Sequence, residues 1–246
     1  MAKLYCIGIG YKPIDKRARD IMYSSEVILT SERLFEVFKG YEDFEQVKDR
    51  IKIINSVDET MDFIKSQISQ PTLAGVPKSQ NITLLASGDP LFFGIGIRAV
   101  REFGKDTVEI LPDLSSVQMA FSRIKEQWDD AFLMSLHSGP DPEKRRRLPY
   151  DIKDIPLLLA SHYKIAILTD RENNPAEIAK TLLKSEILNL KSHTLKMYVC
   201  ERLGSPEEKI TEGRPEEIAG DSFSDPNVVI IQNTIPQPHL TLESGG

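Results

Sequence analysis

Short apolar runs alternate with amphipathic stretches along most of the chain, and their lengths and periods predict the elements. Leu4 to Gly10, LYCIGIG, is brief and continuously apolar, and reads as a buried strand ending in two glycines. Ile14 to Tyr23 has helical spacing. Val27 to Leu29 is a second strand, and Ser31 to Phe38 a helix capped by Thr30 or Ser31. Ile51 to Ile54 predicts a third strand. Asp58-Glu59-Thr60 then opens a helix with Met61, Ile64 and Ile68 on one side. Gln70 to Gln80 carries two prolines, a glycine and no apolar period, and is a loop.

The pattern changes most abruptly between Asn81 and Ile97, NITLLASGDPLFFGIGI. Ile82, Leu84, Leu85 and Ala86 form a strand, Ser87-Gly88-Asp89-Pro90 breaks it, and helical spacing resumes from Phe92 to Phe103. An aspartate before a proline suits a helix entry: the carboxylate accepts free amides, and proline at the first helical position forfeits no hydrogen bond. In an open parallel sheet such a turn lies at the strand's carboxyl end, where ligands bind. Gly94 and Gly96 then fall early in the helix, where their missing side chains admit a ligand or another segment. Helix capping alone accounts for Asp89 equally well.

Further along, Thr107 to Leu111 is a strand, and Pro112 to Ser116 a second turn before a helix with Val117, Ala120, Phe121 and Ile124. Ser115 or Ser116 can cap that helix, and its first amides then point into the turn. Phe132 to Leu136 is a strand ending at His137. Pro140 to Arg147, PDPEKRRR, is a polar loop with a basic end. Ile152 to Ser161 predicts a helix that Pro156 interrupts or begins. Tyr163 to Thr169 is a strand, and Asn173-Asn174-Pro175 starts the next helix. Strands follow at Lys196 to Cys200, Lys209 to Thr211 and Asn227 to Gln232, and the tail from Thr234 is polar and mobile. Regular alternation up to about residue 112 predicts a parallel sheet, and the closer strands beyond it a mixed one. The expected division is 1–112, 113–234 and a tail, 235–246.

Composition narrows the function classes. The 246 residues include 40% hydrophobic and 28% charged side chains, as in a soluble globular protein. A formal net charge of −6 argues against nucleic acid as a partner. No run approaches the ~20 apolar residues of a membrane span, and no secretory signal is evident, so the cytoplasm is the expected location. Cys6 and Cys200 lie in apolar strand-like runs and read as buried free thiols. Four histidines show no metal-ligand spacing, so no metal is expected. Gly8-x-Gly10 lacks the third glycine of a dinucleotide fingerprint. No Ser-His-Asp arrangement or carboxylate pair suggests a general base, and no catalytic residue is assigned.

Five stretches together carry a resemblance: ASGDPLFFGIG (Ala86 to Gly96), LPDLSSVQMAF (Leu111 to Phe121), WDD with SLH (Trp128 to Asp130, Ser135 to His137), LTD with Asn174-Pro175, and CERLG (Cys200 to Gly204). Over about Leu4 to Gln232 the chain resembles the tetrapyrrole methylases. Within that family it is most similar to the branch that methylates C5 of a corrin precursor.

The resemblance implies an α/β fold of two domains, with a mainly parallel N-terminal sheet and a mixed C-terminal one. It implies S-adenosyl-L-methionine folded between them, touching Ser87, Gly88, Asp89, Phe92, Ser115, Ser116, His137, Leu203 and Gly204. The family's first loop reads GxGPG. Here Tyr11-Lys12 replaces its last two residues, and these two are the expected substrate contacts. The implied reaction is methyl transfer to C5 of precorrin-7 or cobalt-precorrin-7 in cobalamin biosynthesis, by a homodimer, with a separate protein as the C15-methylating decarboxylase. Such a transfer needs alignment more than a base, because a reduced tetrapyrrole's meso carbon is already electron-rich. Two other readings stay open. One is a relative acting on diphthamide or ribosomal RNA; the other is a nucleotide-binding module without catalysis.

Overall fold

A computed structural model describes residues 3–68, 81–137, 148–185 and 192–234. The loop 70–80, the basic end of the 140–147 loop and the tail from 235 lie outside them. The chain divides into two units, Met1–Ser115 and Ser116–Gly246.

The first unit is built on a five-stranded sheet of β1 (Leu4–Ile9), β2 (Val27–Thr30), β3 (Ile51–Ile53), β4 (Ile82–Ser87) and β5 (Val108–Leu111). Their order is β3-β2-β4-β1-β5, and every pairing is parallel. Both faces are covered, which is why the strands read as continuous apolar runs. Alternate residues serve opposite cores. Ile7, Ile9 and Leu85 pack with Ala18 and Met22 of α1 (Lys16–Ser24) and with Leu34 and Phe38 of α2 (Glu32–Phe38). Val47 of the short α3 (Phe44–Val47) joins that core. On the other face Leu4, Cys6 and Leu84 pack with Met61 and Ile64 of α4 (Val57–Ile68) and Ala99 of α5 (Ile95–Phe103).

This order sets up a crevice. After β1 the chain moves toward β2 through α1 on one face; after β4, the strand beside β1, it moves toward β5 through α5 on the other. The two connections thus leave adjacent strands on opposite faces at their carboxyl ends, the end of an open α/β sheet where ligands bind.

The second unit opens with α6 (Ser116–Ile124) and pairs its strands in the order β6 (Phe132–Ser135), β7 (Lys164–Leu168), β10 (Asn227–Asn233), β8 (Leu195–Glu201), β9 (Lys209–Gly213). Only β6 and β7 run parallel; the rest are antiparallel. Ile165, Ile167, Val229, Ile231, Met197 and Val199 form one apolar face. It is covered by α7 (Ile155–Ser161), α8 (Pro175–Leu183) and α9 (Pro215–Ile218). Helix α6 lies against β7 and β10. There Lys164 is 2% exposed, and its Nζ donates to the Gln127 carbonyl at 2.7 Å and to Asp130 Oδ1 at 3.1 Å. The last residue of the WDD motif is thus an anchor that ties the loop after α6 to the sheet.

Several boundaries differ from expectation. Pro156 sits in the first turn of α7 behind a single 3₁₀ turn, Ile152–Asp154, so it begins the helix. Ser31 caps α2, accepting the Leu34 amide at 3.4 Å. The largest departure is after β4. Helix α5 starts at Ile95, three residues later than Phe92, because Phe93 takes a left-handed φ of 54° that no helix accommodates. Asp89 is therefore not a helix cap. Its Oδ1 accepts the Leu91 amide at 2.8 Å and closes a local turn.

Candidate functional site

Three turns meet at the carboxyl edge of the first sheet. Gly88 ends β4 with its amide donating to the Ile9 carbonyl at 3.0 Å, and its own carbonyl accepts the Asp113 amide at 3.2 Å. Gly88 has φ +58°, and a Cβ there would lie 2.6 Å from the Leu114 carbonyl oxygen. Gly94 and Gly96 were expected to admit a ligand or a second segment. The segment is the chain itself: a Cβ on either would meet the Pro90 carbonyl oxygen at 2.6 or 2.7 Å. These glycines let the turn after β4 fold back on α5.

Asp113 organises the side facing β1. Its side chain is 3% exposed, and its oxygens accept the Leu114 amide at 2.7 Å and the Tyr11 amide at 3.2 Å. Lys12 Nζ stands 3.7 Å from Asp113 Oδ1, with the lysine side chain 52% exposed. Tyr41 closes the loop from α2's side, its hydroxyl accepting the Gly10 amide at 2.8 Å. Burial pushes the Tyr41 phenol up, and Asp113's charge adds to that, while the Gly10 amide opposes it. The phenol thus stays protonated.

Of the residues singled out by sequence, Tyr11, Lys12, Ser87, Gly88, Asp89 and Phe92 lie on the β1 and β4 turns of the first unit, and Ser115 ends the third turn. Ser87 is exposed, Gly88 and Ser115 are buried, and Asp89 and Phe92 are half-buried. Phe92 packs edge-on against Phe93 with centroids 4.9 Å apart.

The remaining residues belong to the second unit. Ser116 is the first residue of α6 and half-buried. His137 is exposed just past β6, where Leu136 extends the pairing by donating to the Leu168 carbonyl at 2.8 Å. Leu203 and Gly204 follow β8 in a turn with two left-handed residues, Arg202 at φ 45° and Gly204 at φ 77°. The Gly204 amide donates to Glu208 Oε2 at 2.7 Å, and Glu208 also pairs with Arg123 of α6. Arg123, then the Gly204 amide, hold the Glu208 carboxyl below the usual carboxylate range. That turn is fixed, with its backbone open to solvent.

Sequence reading missed Asp113, Tyr41 and Asp15. The first two gave no signal because their partners are backbone amides 102 and 31 residues away. Asp15 decides what the crevice can hold. Its carboxylate caps α1, accepting the Ala18 amide at 2.9 Å, and so places a negative charge where a dinucleotide fold presents free amides to phosphate. Helix α5, behind its own turn, has no side-chain cap, and Arg98 at the end of its first turn is paired with Asp58 and Glu102. The turns offer hydroxyls, carboxylates, backbone groups and the half-exposed Lys12 ammonium, a mixed set suited to a ligand bearing charges of both signs. Among the described residues no three His, Cys, Asp or Glu cluster as metal ligands, and no helix is long and apolar enough to cross a membrane.

Residues 3–219 match the family model for Tetrapyrrole (Corrin/Porphyrin) Methylases. The chain belongs to this family. A Methanocaldococcus jannaschii protein named as a probable cobalt-precorrin-7 C(5)-methyltransferase is 28% identical over 228 residues, 90% of this chain and 93% of that protein. The Salmonella typhimurium cobalt-precorrin-7 C(5)-methyltransferase is 35% identical over 133 residues, 54% of this chain and 57% of that protein. Among solved structures, the precorrin-6Y methylase of Archaeoglobus fulgidus aligns with TM-score 0.64 at 21% identity, covering 95% of this chain and 98% of that one. The Thermus thermophilus uroporphyrin-III C-methyltransferase, in complex with S-adenyl homocysteine, aligns with TM-score 0.65 at 18% identity over 95% and 99%. The tetrapyrrole methylase fold of two α/β units, one sheet parallel and one mixed, is therefore shared with these structures.

Proposed function

We propose that this tetrapyrrole methylase transfers a methyl group from S-adenosyl-L-methionine to C5 of precorrin-7 or cobalt-precorrin-7. The observation that carries the reading is the Methanocaldococcus relative, which matches nearly the whole of both chains and is named for that reaction. The cofactor assignment draws support from the Thermus complex and from the crevice's own donor set. A zwitterionic nucleoside suits hydroxyls and backbone groups, whereas the Asp15 cap repels the phosphates of a dinucleotide. That contrast also disfavours a regulatory nucleotide-binding module.

When bound, S-adenosylmethionine supplies a sulfonium methyl group for in-line displacement by a carbon nucleophile. The chain's contribution is alignment and exclusion of water. The turn at Ser87-Gly88-Asp89 and the hydroxyls of Ser115 and Ser116 hold the donor's polar groups, and Phe92 covers an apolar surface. His137 and the Leu203-Gly204 turn, on the second unit, are the further residues expected to contact the donor. Tyr11 and Lys12 present the substrate. Orientation of this kind can lower a barrier by ~7–11 kcal/mol, enough for a reaction that needs no strong base.

The test is direct. Protein, S-adenosylmethionine and a precorrin-7-type substrate are incubated and followed by mass spectrometry. A gain of one methyl group with the label at C5 is the expected result. No methylation of any corrin precursor would return the chain to another branch of its family.

A further inference from the structure

The loop after β1 is held by two side chains that come from far along the chain. The Tyr41 hydroxyl accepts the Gly10 amide at 2.8 Å. Asp113 Oδ2 accepts the amide of the next residue, Tyr11, at 3.2 Å. The Asp113 side chain is 3% exposed, and its other oxygen is tied to the Leu114 amide at 2.7 Å, so it has no freedom to swing away. Between the loop, the start of α1 and the turn after β5 lies a cavity of only about 10 Å³, lined in part by Gly8, Lys12, Asp15 and Asp113. That is room for one water at most, so the loop sits down on the β5 turn. Lys12 Nζ, at 3.7 Å from Asp113 Oδ1, is beyond hydrogen-bond reach. The grip is therefore on the loop's backbone.

Asp113 has a second attachment. Its backbone amide donates to the carbonyl of Gly88, in the turn after β4, at 3.2 Å. One residue thus joins the donor turn through its main chain and the β1 loop through its side chain. In-line transfer depends on such a join, because a misplacement of ~1 Å can cost about a hundredfold in rate. We infer that Asp113 and Tyr41 are positioning residues that fix the Tyr11-Lys12 loop against the donor turn, and so seat the tetrapyrrole with its acceptor carbon in line with the methyl group. The inference rests on the methyltransferase reading and adds the residues that align the substrate side. It also separates two effects. A side-chain change at Asp113 releases the loop and leaves the backbone bond to Gly88 in place, so substrate alignment should fail while the donor is still held.

The experiment uses the full chain and two variants, Asp113→Asn and Tyr41→Phe. Asparagine offers one oxygen to two amides, and phenylalanine deletes the oxygen that accepts Gly10. Tyr41→Phe removes no charge, so the test stands on it should Asp113→Asn not fold. Tetrapyrrole binding is titrated by absorbance without the methyl donor, turnover is measured at saturating S-adenosylmethionine, and donor affinity is measured by calorimetry. In both variants kcat/KM for tetrapyrrole should fall by about tenfold, the scale of one lost hydrogen bond with its amide left unpaired, divided between weaker binding and slower turnover. Donor affinity should stay within about twofold of the parent, since the Gly88 contact is to backbone. Parent kinetics in a folded variant removes that residue from the role and leaves the reaction standing. Donor affinity falling in step with kcat/KM also overturns the role, because the residues would then support the whole site rather than the substrate side. A parent that binds tetrapyrrole without transferring a methyl group overturns the reaction; weaker tetrapyrrole binding in the variants then keeps the seating role, and parent binding in them overturns it too. A parent that does not bind tetrapyrrole overturns both.

Discussion

Gly8 and Gly88 lie so close that a Cβ built on Gly8 would stand 1.8 Å from the Gly88 carbonyl oxygen and 2.5 Å from the Asp113 amide. Both obstacles are backbone, so neither can swing aside. Gly8→Ala should force β1 away from the β4 and β5 turns. Overpacking in a well-filled interior costs typically ~1–3 kcal/mol, and an obstacle this close places the variant at the upper end. Thermal melting should show the loss, and calorimetry a weaker S-adenosylmethionine affinity. A variant with parent stability and affinity would mean that the three turns are not locked together.

Asp89→Ala removes the oxygen that accepts the Leu91 amide. Because α5 begins six residues later, at Ile95, the helix loses no cap. The stability cost should be the ~0.5–1.5 kcal/mol of one hydrogen bond. If Asp89 also contacts the cofactor, affinity for S-adenosylmethionine should fall by more than tenfold. Calorimetry paired with denaturant unfolding separates these effects. Lower stability with unchanged affinity would confine Asp89 to the turn.

Much of the framework was legible in the sequence. The strand Leu4 to Gly10 and the burst Ile82 to Ala86 have no reading but strands buried on both faces, and the parallel sheet follows from their spacing with helices. Asn174-Pro175 started α8 as such a pair should. The turn after β4 misled because Asp-Pro is a genuine helix-entry signal; the left-handed Phe93 that delays the helix depends on packing of Pro90 against Gly94 and Gly96. Helix α9 and the short α3 have four residues each, below the span at which periodicity speaks. Asp113 and Tyr41 matter through contacts far along the chain, which no local pattern encodes.

Ser116 opens α6 and is only half-buried, so a larger side chain there can point away from the core. Ser116→Leu should keep the parent melting temperature within a few degrees and abolish detectable S-adenosylmethionine binding, since the added bulk occupies the ligand's place. Calorimetry alongside a thermal melt decides it. Full binding by the folded variant would remove Ser116 from the site.

The two thiols provide a pH-dependent test. Burial pushes Cys6 and Cys200 up from 9.0 to about 12. Folded protein at pH 8 should therefore resist a thiolate-selective reagent, with both thiols reacting once denatured. The sign for stability follows from the raised folded value. Below 9.0 both states hold the protons and stability is unaffected; as pH rises from there toward about 12 the unfolded chain ionises first, and stability falls. Rapid labelling of either thiol at pH 8 without unfolding would show that its strand opens locally.

The last prediction concerns what the chain leaves undone. Under the proposed function it adds one methyl group at C5, and the acetate carboxyl of the substrate is retained. Methylation at C15 with loss of that carboxyl takes place on a different part of the ring, and would require the substrate to be turned over or a second donor site. Among the described residues both sheets belong to one two-unit methylase, and the family match spans 3–219. A Sinorhizobium protein named precorrin-6Y C(5,15)-methyltransferase [decarboxylating] is 29% identical over 130 residues, 53% of this chain but only 28% of that protein. Most of the relative that carries both activities in its name thus has no counterpart in the match. The check is to incubate the purified chain alone with a precorrin-7-type substrate and excess S-adenosylmethionine, following product mass and carbon dioxide together. One added methyl with the carboxyl in place is the expected outcome. Carbon dioxide released by this chain alone, or a second methyl on the product, would overturn the assignment to a single C5 site.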